Sequence, residues 1–410
     1  MITTMKLLVL EEPRYTCSTC ATGCRNWHVE LLTDEIDRVK NLAWPKEDPL
    51  HGTPAVMKHS GRTYLAHAPD GVCVFLNRQT NLCRIHAEFG VDAKPLGCRL
   101  YPFQISPTFE GEATISPRYT CPTVRQNIGA PHAEALPELR QLAKRMQFPA
   151  FFDQATTCNL DRDQTYAVCE FAATLLNAFP QNDQRSLFLI ALCDFLATLS
   201  ADELDREALG TAFIQMKQGV ETVAAVPVKK PGWFTRLAFR TYLGLHLRRD
   251  EDVLDGRAGR FQRLGSMIAI VGGFGSFNGL GVVHPAGTLG KAKLFHPELS
   301  CNDPAIFELH WRMISTKLMS LHFIGAANHG RDLLEGLRSL ALLYPLVVAT
   351  AKYRAGNRGS ATVEIEDVDY AVGMIEHNFG RSPVLAQSFA RSIERLLLEP
   401  TIFVRLVRTV

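Results

Sequence analysis

The stretch that decides the fold of the N-terminal part is YTCSTCATGC, residues 15–24. Two residues separate Cys17 from Cys20, and three separate Cys20 from Cys24. A Cys-x2-Cys pair lets two thiolates approach one metal from a tight turn, and a third thiolate four residues later supplies a third corner of the site. The spacing therefore predicts a metal site.

Four more cysteines follow within the first 121 residues, so the candidate ligands outnumber those of one four-ligand site. Either one cluster leaves three cysteines spare, or a histidine (His28, His67 or His86) completes a second site. Thiolate sites accept zinc or an iron-sulfur cluster, including the 4Fe-4S type, and ligand type alone does not separate them. The predicted metal ligands are Cys17, Cys20, Cys24, Cys73, Cys83, Cys98 and Cys121.

The other four cysteines lie singly in the rest of the chain, and we interpret them as small buried hydrophobic residues. The N-terminus has too short an apolar run, Leu7 to Leu10, for the core of a signal peptide, so we expect a cytoplasmic protein. In a reducing cytosol, clustered cysteines favour a metal site over disulfides. The four single cysteines are Cys158, Cys169, Cys193 and Cys301.

Composition excludes several classes of protein. The chain has 410 residues, of which 46% are hydrophobic and 21% charged, enough apolar material for a large core and too much for intrinsic disorder. Its 44 Lys and Arg against 42 Asp and Glu leave a formal net charge of +2. Such a balance lacks the positive field of a nucleic-acid-binding protein.

The chain divides into two parts by its hydrophobic pattern. Residues 1–128 read as irregular, with short candidate strands at Lys6–Leu10, Thr63–Ala66 and Val72–Leu76 and a helix start at Thr33. From residue 129 to 410 the period becomes that of helices. We therefore predict a mainly α protein, in which an irregular, metal-stabilised cysteine-cluster module packs on a larger all-α helical body. The candidate helices are Ala133–Gln147, Asp163–Phe179, Asp183–Leu199, one after Ser200, Pro304–His322, Arg331–Tyr353, Glu366–His377 and Pro383–Leu398.

Two segments have unusual composition. Thr222–Arg249 combines basic and aromatic residues without an acid, a mixture that suits a membrane surface, although a solvated helix face is the expected explanation. Leu264–Gly290 carries no formal charge but is too rich in glycine for a transmembrane helix. We expect a buried or active-site loop there, with Ile268–Val271 as a candidate strand.

Several motifs outside the first cysteine group carry a resemblance to a known family. Trp27 follows the first group, and a helix start of the type Leu-Thr-x-x-Glu comes at Leu32. The remaining motifs are CVFL from Cys73, CRIH from Cys83, CRLYP from Cys98 and CP at Cys121. In this order, over residues 15–125, they resemble the YkgJ-type cysteine-cluster (zinc/iron-chelating) family, and more narrowly the flagellin lysine-N-methylases. That family usually ends its first group in two adjacent cysteines, whereas this chain has Gly23-Cys24.

The resemblance implies an enzyme that methylates lysines on a partner protein with S-adenosylmethionine. The alternative is a non-catalytic module, in which the metal stabilises the cysteine domain and the helical body binds a protein. Radical chemistry ranks last, because the usual radical enzymes carry Cys-x3-Cys-x2-Cys and this chain has the reverse order. Residues beside the cysteines, such as His86, Glu88, Arg99 and Tyr101, could line a pocket, but the sequence assigns no catalytic residue.

Overall fold

The computed structural model describes residues 6–146, 160–198, 204, 206–248, 256–273, 277–278, 288–289, 299, 301 and 303–410. Within these ranges the protein is mainly helical, and a small sheet region lies in its N-terminal part. The predicted fold class is confirmed.

Two short sheets support the N-terminal module. β1 (Lys6–Val9) pairs in parallel with β5 (Glu112–Pro117), which pairs antiparallel with β4 (Phe103–Pro107). β2 (Val56–His59) and β3 (Arg62–Leu65) form an antiparallel hairpin.

The strands predicted near residues 6 and 63 are therefore confirmed, and the one at Val72–Leu76 is wrong. That stretch makes isolated bridges instead, Cys73 with His67 and Leu76 with Cys83. The Leu76 amide donates to the Cys73 carbonyl at 3.0 Å, and this turn prevents a continuous ladder.

Short helices carry much of the rest of the module. The helix predicted at Thr33 is present as α2. These helices are α1 (Thr22–Asn26), α2 (Thr33–Lys40), α3 (Arg84–Phe89), α4 (Leu96–Leu100) and α5 (Pro122–Gln126). The next helix, α6 (Leu136–Ala143), lies beyond residue 128 and packs against the sheet of β1, β5 and β4.

Longer helices form the body, and α13 (Leu333–Asn357) is its central element. α13 packs against α8 (Asn182–Leu196) and α14 (Ile365–Asn378), and most of its residues are buried, including Pro345 in its interior. Of the described helices, α13 alone has the length and apolar composition that a membrane span requires, and 83% of that window is buried inside the protein. The helices of the body are α7 (Arg162–Leu175), α8 (Asn182–Leu196), α9 (Arg206–Ala225), α10 (Trp233–Leu247), α11 (Gly256–Gly272), α12 (Glu308–Met319), α13 (Leu333–Asn357), α14 (Ile365–Asn378), α15 (Ser388–Leu397) and α16 (Pro400–Thr409).

The glycine-rich segment differs from the prediction. Its first part belongs to α11, so neither a loop over residues 264–272 nor a strand at Ile268–Val271 forms. Close packing explains the helix: a Cβ atom built at Gly244 of α10 would lie 3.0 Å from the Met267 side chain and 3.4 Å from that of Ile270. Such contacts outweigh the weak helix propensity of glycine. Beyond residue 273 the segment lies outside the described residues, except for β6 (Phe277–Asn278) and β7 (Thr288–Leu289), which pair antiparallel.

The module is joined to the body by buried contacts from β5 and the segment that follows it. Thr114 donates its hydroxyl to the Ser320 carbonyl at 2.5 Å, and the Tyr119 hydroxyl lies 2.8 Å from the Thr316 hydroxyl. Farther on, the Arg125 guanidinium binds the Asp369 carboxylate through two nitrogens, at 2.8 and 3.0 Å. The end of the module is thus fixed to α12, α14 and the turn after α12.

Candidate metal centre

One cavity of about 200 Å³ brings together all seven cysteines predicted as ligands. Roughly 10–15 Å³ of such volume holds one water molecule, so the space is large enough for a group of several atoms. Aromatic and aliphatic side chains complete the wall, among them Trp27, Val29, Phe75, Ile85 and Tyr101.

The backbone around each cysteine explains how they meet. Thr19 and Ala21 have left-handed φ values of 53° and 57°, which turn the chain sharply around Cys20 before α1 begins. The amide of Cys73 donates to the carbonyl of Cys24 at 2.9 Å and joins the first motif to the second. The other cysteines lie at or within short helices: Cys83 before α3, Cys98 in α4 and Cys121 before α5.

A buried carboxylate fixes the helix that carries Cys98. Glu35 of α2 is fully buried and accepts from the amide of Leu96 at 2.7 Å and from that of Leu32 at 3.1 Å. In α4, the helix of Cys98, a Cβ atom at Gly97 would lie 2.9 Å from the Val29 side chain. Glycine at this position therefore permits the close approach of α4 to Val29. Glu35 and Gly97 thus help to fix α4 although they do not line the cavity, whereas Val29 does line it.

Four of the seven cysteines share one environment, and the other three lie outside it. Cys24, Cys73, Cys83 and Cys98 belong to the small hydrophobic core of the module, which is separate from the main core of the body. Cys121 instead belongs to the main helical core. Cys17 and Cys20 come before α1, and the Cys20 sulfur lies 3.1 Å from the Thr22 hydroxyl.

Burial favours the protonated form of three of these thiols, those of Cys24, Cys73 and Cys98. It raises the pKa of Cys24 to about 11, and the proximity of Cys83 adds to the increase. Burial, together with neighbouring cysteines of the same set, also raises the pKa of Cys73 and that of Cys98 well above the usual range. A thiolate is the form that binds metal, and a bound cation deprotonates a coordinating thiol. The donor set therefore suits a cationic metal group, which would remove the repulsion among the thiolates.

The thiols surround the cavity without converging on one point. In the described part of the chain, no three Cys, His, Asp or Glu side chains are placed to hold a single metal ion. All ten cysteines in that part are free of disulfides. The arrangement is thus a set of reduced thiols that line one shared cavity.

Two of the three candidate histidines line the cavity, His67 and His86. The Nδ1 atom of His67 lies 2.8 Å from the Gly71 carbonyl oxygen, and its ring stacks on that of His28 with centroids 3.9 Å apart.

Of the other residues named from the sequence, Tyr101 lines the cavity, whereas Arg99 forms ion pairs with Asp92 and Glu138. Glu88 is half exposed and lies 3.9 Å from the Arg84 guanidinium.

Tyr15 and Lys94 are among the cavity-lining residues that sequence reasoning missed. Lys94 opposes the rise in the pKa of Cys24 and of Cys98, so its ammonium lies near these two thiols. The sequence could have indicated both residues, because Tyr15 lies close to Cys17 and Lys94 lies close to Cys98.

Three of the four single cysteines lie where we predicted them, in the helical body. Cys169 and Cys193 are fully buried in its core, and Cys301 packs against that core. Cys158 lies outside the described residues.

Comparison with known proteins agrees with a metal-chelating module. Residues 16–122 match the family model CxxCxxCC, described as "Putative zinc- or iron-chelating domain". An uncharacterized protein of Methanocaldococcus jannaschii, MJ0939, is 27% identical over 139 residues, which cover 33% of this chain and 46% of the relative. The chain thus spans less than half the length of this relative. No solved structure matches this chain. Over residues 16–122 the chain is therefore similar to a cysteine-cluster family described by zinc or iron chelation, which supports metal binding by the N-terminal module.

Proposed function

We propose that the cysteine module, residues 1–128, holds an iron-sulfur cluster, and that the protein uses S-adenosylmethionine to methylate lysines on a partner protein. One observation carries the first half: seven reduced thiols line a cavity of about 200 Å³, and no three of the described donors are placed to hold a single ion. Thiolates around an iron-sulfur core stand farther apart than the ligands of one zinc ion, which lie about 2.3 Å from the metal. This geometry favours a cluster over zinc.

The resemblance to flagellin lysine-N-methylases motivates the second half, and the chemistry of the cavity supports it. When bound, a cluster supplies electron transfer or a Lewis-acidic iron. A lysine must lose its proton before it attacks a methyl group, and its pKa in water is about 10.4. The apolar side chains of Trp27, Val29 and Phe75 would exclude water from a substrate amine and so lower its pKa.

The alternative function is a metal-stabilised interaction module without catalysis. The position of Cys24, Cys73, Cys83 and Cys98 favours it, because these thiols belong to a small core that, in the described part of the chain, holds only seven other buried hydrophobic residues. A metal in such a place contributes folding energy directly.

Two measurements test the proposal. Protein purified without oxygen should contain iron and sulfide and absorb visible light, whereas a colourless protein with zinc would refute the cluster. Protein with a full metal site should then bind S-adenosylmethionine in calorimetry and transfer labelled methyl groups to proteins of a lysate. Cys98→Ser should lose both activities, and Cys193→Ser, a buried thiol of the helical core, should keep them. Failure of cofactor binding and of labelling, with metal present, would leave the interaction module as the function.

A further inference from the structure

Gly23 lies within the first cysteine group at a place where a side chain would meet Tyr101. A Cβ atom built there would lie 3.3 Å from Cε1 and 3.4 Å from Cδ1 of the Tyr101 ring. The φ angle of Gly23 is not in the left-handed region, so its backbone conformation accepts any residue. The Tyr101 ring beside position 23, and not a required backbone conformation, therefore limits which side chain fits there.

The matched family model has the pattern CxxCxxCC, which ends in two adjacent cysteines. In this chain the pattern aligns with Cys17, Cys20 and Gly23-Cys24. The chain therefore lacks one thiol of the pattern, at position 23.

The direction of position 23 shows which set the missing thiol would join. Tyr101 lies beside the segment that carries Cys121, since the Arg118 amide donates to the Pro102 carbonyl at 2.7 Å and both Tyr101 and Cys121 line the cavity. The Ser18 hydroxyl, between Cys17 and Cys20, lies 2.6 Å from the Thr123 hydroxyl, two residues after Cys121, so Cys17, Cys20 and Cys121 share one side of the cavity. A thiol that points from position 23 toward Tyr101 would be the fourth member of this group.

The other set needs no further ligand. Cys24, Cys73, Cys83 and Cys98 supply four thiols within one small core, the number that a closed thiolate site uses. Sites that bind substrate keep one position open to an outside ligand.

We propose that the module holds two metal groups: a closed one on Cys24, Cys73, Cys83 and Cys98, and an open one on Cys17, Cys20 and Cys121. The open ligand position lies beside Gly23 and the Tyr101 ring, and takes a small molecule with a lone pair on oxygen, nitrogen or sulfur. This inference rests on the proposed metal binding but assigns separate roles to the two sets.

The first test counts metal in serine variants of the full-length protein. Cys17 is exposed, so Cys17→Ser should fold normally, lose the metal of the open site and keep that of the closed one. Its metal content should fall without vanishing, and Cys169→Ser should match the wild type. Complete loss, or no loss, in Cys17→Ser would overturn the division into two sites.

The second test restores the missing thiol. Cyanide, a small donor, should change the electron paramagnetic resonance spectrum of the reduced wild-type protein by binding at the open position. Gly23→Cys should keep the full metal content and lose this response. Gly23→Ser is the matched control, because serine is nearly as large as cysteine but supplies no thiolate. This variant should keep the spectral response to cyanide.

The outcomes separate this inference from the proposed function. A wild-type protein without metal would refute both. A metal-loaded wild type that ignores cyanide, or a metal-loaded Gly23→Cys that still responds, would overturn the open site alone and leave metal binding intact.

Discussion

Glu376 of α14 holds the C-terminal end of the cysteine module against the helical body. Its carboxylate is almost fully buried and lies 3.4 Å from the Arg118 guanidinium and 3.4 Å from the Lys317 ammonium. It also accepts from the amide of Thr120 at 3.1 Å. Because Arg118 and Thr120 lie just before Cys121 in sequence, this one carboxylate fixes the backbone that carries a candidate ligand.

The substitution Glu376→Gln keeps the size of the side chain and one acceptor oxygen but removes the charge. Two buried cations, on Arg118 and Lys317, then lose their counter-ion. Removing one partner of a buried ion pair costs about 3–5 kcal/mol, a large part of the ~5–15 kcal/mol that stabilises a typical protein. We expect a loss of this size in the free energy of unfolding, and a lower metal content through the displaced Cys121.

Urea unfolding followed by circular dichroism measures the loss, and Glu170→Gln is the matched control. Glu170 is exposed on α7, and a surface change of this kind alters stability by roughly 0.5 kcal/mol or less. Equal urea midpoints for Glu376→Gln and Glu170→Gln would refute the reasoning.

The pH dependence of the free energy of unfolding gives a second check on the role of Glu376. Burial alone would raise the pKa of Glu376, but Arg118 and Lys317 outweigh it and leave the pKa below the usual 4.5. A depressed carboxyl pKa contributes stability that is present above the unfolded-state value and is lost as pH falls through the folded-state value. The difference between wild type and Glu376→Gln should therefore be full at neutral pH and shrink in acid, and a difference that grows in acid would contradict it.

Three further predictions follow from the metal centre and the contacts around it. Chelation should collapse residues 1–128, seen as new proteolytic cleavage there, while the helical signal in circular dichroism largely persists; an unchanged digestion pattern after complete metal removal would argue against metal-dependent folding. Cys73→Ser should lower the metal content and Cys193→Ser should not, so equal effects would defeat the ligand assignment. Arg125→Lys cannot keep the two-nitrogen contact with Asp369, and we expect a loss of about 1.5–3 kcal/mol in urea unfolding, which a midpoint equal to that of the wild type would exclude.

The sequence by itself determined the features that depend on near neighbours in the chain. The period of 3.6 predicted α8 and α14 within a few residues, because an amphipathic face is set by residues three and four apart. The spacing of Cys17, Cys20 and Cys24 likewise predicted that their thiols lie close together, because a tight turn fixes the directions of close side chains, and all three line one cavity.

Only the tertiary structure decided which distant residues share a core. Cys24 meets Cys73, Cys83 and Cys98 in the module, whereas Cys121 enters the core of the body, and no local pattern separates these two environments. The helix α11 is a similar case, since its glycines favour a loop until the side chains of Met267 and Ile270 pack closely against Gly244. Propensity and spacing act over a few residues, while burial is settled by contacts between segments far apart in the chain, and such contacts override local preference.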